Sequence, residues 1–112
     1  MATTKFETFL QEGVWRTEWT SLLTGETGDK ADLSKWPTKS IQISGTVGAG
    51  GSVNVQGSND GVNWFSLKDA FGASLATAAV GIYTIDQNTQ HIRPAVVAGD
   101  GTTNIKVVIL AT

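Results

Sequence analysis

Between Ser40 and Thr112 apolar and polar side chains alternate in short runs. Ile41, Ile43 and Val47 interleave with Gln42, Ser44 and Thr46, the period of a half-buried strand. Val53 and Val55 alternate with Asn54 and Gln56 as a second strand, and Gly48-Ala-Gly-Gly51 between them reads as a hairpin turn. Ser58-Asn-Asp-Gly61 is the next turn, because Asn, Asp and Gly tolerate left-handed backbone. Asn63–Leu67 follows as a third strand carrying Trp64, which the pattern assigns to the core. A loop of small residues, Gly72–Ala79, leads into Val80–Ile85. His91–Ala98 is extended, with Pro94 marking an edge or a bulge. Asp100-Gly101 turns the chain into Ile105–Ala111, where Ile105, Val107 and Ile109 share one face. Such short strands separated by turn signals, with no βαβ pattern, predict an all-β fold: an antiparallel β-sandwich or jelly-roll-like single domain.

Residues 1–39 read differently. Eleven of the 18 charged residues lie there, against seven in the remaining 73 positions, and so do Trp15, Trp19 and Trp36. The later segment holds 10 of the 13 glycines, which punctuate its strands. The break near Ser40 divides the chain into an N-terminal extended arm, 1–39, and a β-sandwich body, 40–112. Within the arm, Met1–Gly13 reads as loosely ordered. Phe6, Phe9 and Leu10 also have the spacing of a short helix over Lys5–Glu12. Val14–Leu23 is an extended segment, read as part of an exchanging arm or as a strand of the sandwich. Thr24–Asp32 is a polar loop, and Pro37 biases Trp36 towards extended geometry.

Charge and composition narrow the function. The 112 residues allow one domain, or one domain with an arm. Eight basic against ten acidic residues give a net charge of −2, the reverse of the basic face that nucleic acid selects. With no cysteine, disulfide scaffolds, thiolate metal sites and thiol catalysis are excluded. The single histidine, His91, excludes a multi-histidine zinc site. No apolar run approaches the roughly 20 residues that span a bilayer. The start Met1-Ala-Thr-Thr-Lys-Phe-Glu lacks a basic end followed by an apolar stretch, so no signal peptide is expected. These features point to a soluble, non-catalytic protein made in a cytoplasm, with no cofactor and no membrane or nucleic-acid partner.

Few residues carry candidate chemistry. His91 could serve a nucleophile only beside an orienting group, and no Gly-X-Ser-X-Gly elbow is present. It reads as a strand-edge histidine bonded to its neighbours. Asp60, Asp69, Asp86 and Asp100 fall in turns or at strand ends, where Asp is selected for backbone hydrogen bonding. They have neither the pairing expected of a glycosidase nor the Asp-X-Asp-X-Asp-Gly spacing of a calcium loop. Gly48–Gly51 has no Lys-Ser/Thr after it and opens no helix, so it is not a phosphate loop. No catalytic or metal-binding residue is assigned. Trp15, Trp19 and Trp36 are the candidate partner-binding residues, because Trp is enriched at interface hot spots. Buried core is the competing reading of all three.

Val53-Asn-Val-Gln-Gly-Ser-Asn-Asp-Gly-Val-Asn-Trp64 resembles a strand–turn–strand motif of small tailed-phage structural proteins. The stretch from His91-Ile-Arg-Pro94 through Gly99-Asp-Gly101 to Ile105-Lys-Val-Val-Ile-Leu110 resembles their C-terminal hairpin. The likeness spans roughly Ser40 to Thr112 and points to capsid decoration, or cement, proteins. It implies a β-sandwich or jelly-roll body arrayed on the outside of a mature head. The partners would be the major capsid protein and further copies of the chain in a symmetric homo-oligomer. The location would be the virion surface, after assembly in the host cytoplasm. Ser58-Asn-Asp-Gly-Val-Asn-Trp64 also resembles the hairpin of discoidin-type sugar- and lipid-binding domains, which implies a carbohydrate- or host-surface-binding module as one alternative. A tail or fibre component is the other alternative.

Overall fold

The computed structural model describes residues 2–3, 5–11, 13–77 and 79–112. Their regular structure is entirely β: β1 (Ala2–Thr3), β2 (Lys5–Gln11), β3 (Val14–Leu22), β4 (Thr27–Gly28), β5 (Ala31–Asp32), β6 (Lys39–Thr46), β7 (Ser52–Ser58), β8 (Phe65–Ser66), β9 (Ala76–Thr77), β10 (Gly81–Ile85), β11 (His91–Ala98) and β12 (Asn104–Ala111). One sheet runs β10-β6-β12-β3-β2 and is antiparallel throughout. The other follows β1-β4-β11-β7-β8, with β5 added on β11 and β9 on β7. Its pairings are antiparallel except the two-residue contact of β1 with β4. The sheets pack face to face as a sandwich, as the alternation predicts.

Period-2 patterning sets which residues are inside. Ile41 and Ile43 of β6, Val53 and Val55 of β7, Ile92 and Val96 of β11 and Ile105, Val107 and Ile109 of β12 are all buried in one core. The same core contains Trp19 and Leu22 of β3, Ala31 of β5 and Leu33. That overturns the division at residue 39. Val14–Leu22 lies between β2 and β12 in its sheet, with Val107 opposite Trp19 and Ile109 opposite Thr17. The helix alternative over Lys5–Glu12 is also corrected: Lys5–Gln11 is a strand on β3. Met1, Thr4 and Glu12 lie outside the described residues. The charge difference between the segments has a local cause, since β3 keeps its apolar side chains inside while Arg16 and Glu18 on its outer face form an ion pair at 3.1 Å.

Both expected hairpins are corrected too. β6 and β7 sit in different sheets, and so do β11 and β12. Gly48–Gly51 and Gly99–Thr103 are therefore crossovers from one sheet to the other, and they are pinned together. Asp100 accepts from the Ala49 amide at 3.0 Å, and the Thr103 hydroxyl donates to the Val47 carbonyl at 2.7 Å. Gly48 is required at this junction: its φ is +82°, and a Cβ would lie 2.5 Å from both Asp100 Oδ1 and Thr103 Oγ1.

Pro94 occupies a strand with neighbours on both sides, yet it acts as at an edge. The Val96 amide donates to Glu26 across towards β4. Two residues earlier Pro94 faces the same way, where β11 pairs only at Ala95, Ile92 and His91 and the chain passes between β4 and β5. The missing N–H therefore costs no ladder bond.

An aromatic end of the sandwich

β11 begins with His91 between two neighbours, Asp32 of β5 and Ser58 of β7. Its alternation sends Ile92, Pro94 and Val96 inward and leaves His91 and Arg93 half-buried on the other side. The turn before β8 brings Trp64 over them. The Arg93 guanidinium sits 4.1 Å from the Trp64 ring centre, and the His91 ring lies 6.4 Å from it, tilted by 45°. Arg93 also donates to Gln56 at 2.9 Å. Partial desolvation lowers its pKa, which for a guanidinium leaves the charge in place.

Asp60 organises that turn. Its carboxylate accepts from the Asn63 and Val62 amides, the Asn63 side chain and the Ser58 hydroxyl. Those hydrogen bonds, the Asn63 amide first, hold the carboxyl far below the ordinary aspartate range. Asp69 and Asp100 accept from backbone amides in their own loops in the same way. The turn role read for these aspartates is what they perform. Among the described residues no three His, Asp or Glu side chains converge to hold a metal ion.

The three candidate tryptophans part company. Trp19 is fully buried, and its indole N–H donates to the Asp29 carbonyl at 3.0 Å. It is a core residue and is withdrawn as a partner contact. Trp15 shares its strand face but lies at the end of β3, where the sheet stops covering it, and is half-buried. Trp36 reaches the same place from a turn closed by its own amide bond to the Leu33 carbonyl. The two rings stack with centres 5.8 Å apart and planes 17° apart. Both line a cleft of about 300 Å³ with Glu7, Lys30, Asp32 and His91. Asp32 Oδ1 accepts from the Ser34 hydroxyl at 2.9 Å. Lys30 Nζ and the His91 ring both border Gly61, within 3.6 Å of where a Cβ on it would stand.

On the far side of the Asn59–Asn63 turn is a second cleft of about 440 Å³, lined by residues including Asp60, Asn63, Phe65, Gln87 and Thr89. Trp64, read as core, is half-buried outside the core cluster. His91 is likewise no edge histidine, and its Nδ1 is buried with no hydrogen-bond partner among the described residues.

The sequence reading passed over Lys39. It is 1% exposed, and its ammonium donates to the Trp36 carbonyl and to Asn88 Oδ1 at 2.6 Å. Burial pushes its pKa down. Asn88 in turn donates to the Ser34 carbonyl at 3.3 Å, so one buried charge ties the Trp36 turn to the loop before β11. Lys30, Asp32 and Arg93 carry no local sequence signal; only the pairing of β5 and β7 with β11 brings them together.

No protein-family model matches the sequence, and no curated protein matches it. Among solved structures the fold is similar to the crystal structure of the SPBc2 prophage-derived protein YomS, with a TM-score of 0.67 at 12% sequence identity. The alignment covers 93% of this chain and all of that one, and the likeness is one of fold.

Proposed function

We propose that this chain is a structural component of a phage virion, a decoration protein that binds the outside of the mature head and stabilises the shell by bridging subunits. The observation that carries this reading is the outer face of the five-stranded sheet. Across β10, β6 and β12 its outward positions are Ile82, Thr84, Ser40, Gln42, Ser44, Thr46, Asn104, Lys106, Val108 and Leu110, and Lys106 alone among them is charged. Ile82 is 71% exposed and Leu110 38%, and Val80 beside them is 53% exposed. A face with a single charge and apolar side chains left in water approaches the composition of an interface core. The prophage origin of YomS supports placing the chain in a phage, and the Ser40–Thr112 resemblance supports the decoration type.

Attachment would rest on burial of this face against the major capsid protein and neighbouring copies of the chain. Repetition at symmetry-related positions multiplies modest contacts into tight occupancy. Cryo-electron microscopy of intact virions tests the assignment. A regular lattice of density of this size on the head is expected. Density confined to the tail would make the chain a tail or fibre component. Ile82→Lys, a change in water on a sheet face, should leave the melting temperature in place and abolish head binding.

A further inference from the structure

We propose that the Trp15–Trp36 cleft binds a neutral sugar through a pyranose unit. This stands whether or not the chain decorates heads, because the cleft lies at one end of the sandwich, away from the outer sheet face. Two near-parallel indoles, stacked on one another, form its aromatic wall. Around that wall stand two carboxylates, Glu7 and Asp32, one ammonium, Lys30, and the His91 imidazole.

The lining selects among ligand classes. A quaternary ammonium is held by rings set around it on several sides and is repelled by a cation. Parallel rings with Lys30 nearby offer neither condition. A phosphate or carboxylate would face Glu7 and Asp32. A wholly apolar ligand would strip water from four ionisable side chains without replacing their hydrogen bonds. A pyranose meets each requirement. Its C–H face lies flat on an indole, its hydroxyls donate to carboxylates and accept from an ammonium, and an imidazole serves in either sense. The cleft volume of about 300 Å³ is at the small end for ligand sites, which suits one or two sugar units. The site is also held in shape. Lys39 fixes the carbonyl of Trp36 itself, and Ser34 fixes Asp32.

Indole N–H resonances of the full chain, assigned by single Trp→Phe variants, supply the test. Glucose, galactose, N-acetylglucosamine and rhamnose are titrated separately to about 10 mM, ample for a millimolar Kd. With at least one sugar, the Trp15 and Trp36 signals should move saturably while those of Trp19, in the core, and Trp64, covered by Arg93, stay in place. Asp32→Asn keeps the oxygen that accepts from Ser34 and should weaken binding about tenfold or more, as should Trp36→Ala. Phe71→Ala, at an exposed position outside the cleft, should leave it unchanged. If no sugar moves the Trp15 and Trp36 signals, or if the shifts centre on Trp64, the assignment is wrong. Equal affinity of Asp32→Asn and the unaltered chain would also overturn it.

Discussion

Replacing Trp19 with Ala tests whether the N-terminal segment belongs to the core, and pairing it with Gly28→Ala tests the packing in detail. Trp19 is fully buried, so its loss should cost about 3–5 kcal/mol in transfer and cavity terms. Leaving the Asp29 carbonyl without its indole donor adds about 1 kcal/mol. Gly28 lies directly against the ring: a Cβ there would stand 2.6 Å from Trp19 Cδ1, 2.7 Å from Nε1 and 2.9 Å from Pro94 Cδ. Its backbone is not in the left-handed region, so Gly28→Ala alone should cost the overpacking penalty of about 1–3 kcal/mol. Once Trp19 is Ala, the vacated space lets β4 draw back from Pro94. The second substitution should then cost about 1 kcal/mol or less. Urea melts of the four proteins, followed by far-ultraviolet circular dichroism, give the coupling directly. Strict additivity would refute the contact, and a loss under about 1 kcal/mol for Trp19→Ala would return Val14–Leu22 to the status of an arm.

A chain beginning at Lys39 should fail to fold. It leaves one side of β12 unpaired and removes Trp19, Leu22, Ala31 and Leu33 from the core, at about 1.5–3 kcal/mol for each large side chain against a typical total of about 5–15 kcal/mol; a cooperative thermal transition would contradict this. Lys39→Met keeps the stem but strands the Trp36 carbonyl and Asn88 Oδ1, and should cost about 1–3 kcal/mol by urea denaturation. Trp64→Ala should cost only about 1–2 kcal/mol, less than a core tryptophan, because the ring is half-buried and its chief loss is the Arg93 contact. The Thr102 hydroxyl and backbone amides hold the Asp100 pKa down to about 2 from an ordinary 3.8. A depressed folded-state pKa stabilises fully above the unfolded value, and that stability is lost as pH falls from about 4 through 2. Asp100→Asn should therefore show a shallower acid loss over that window, and an unchanged slope would exclude the Asp100 anchor.

Strand identity was legible from the sequence because alternation reports burial directly: β6, β7, β10, β11 and β12 fall within two residues of their predicted ends. Pairing was not, because a glycine-rich link between two alternating runs has the same composition whether it folds back within a sheet or crosses to the other. The difference rests on contacts distant in sequence, such as Asp100 with Ala49, which leave no local mark. The same limit governs the aromatic end. Three tryptophans in 22 residues drew attention to the right segment, but their fates depend on how far the opposite sheet extends over each. Trp19 and Trp15, four residues apart on one strand face, differ because Gly28 of β4 lies against the first, while the second is one residue from the start of β3. Composition misled at the residue 39 boundary for a related reason. A strand with an ion pair on its outer face counts as charged even when its inner face is Trp19 and Leu22. Lys39 is the sharpest case: an ordinary surface residue by type, it sits inside because the Trp36 carbonyl and Asn88 together replace the water its ammonium would lose. The cleft beside it joins strands from opposite ends of the sequence. Its chemistry therefore exists only after both sheets have formed.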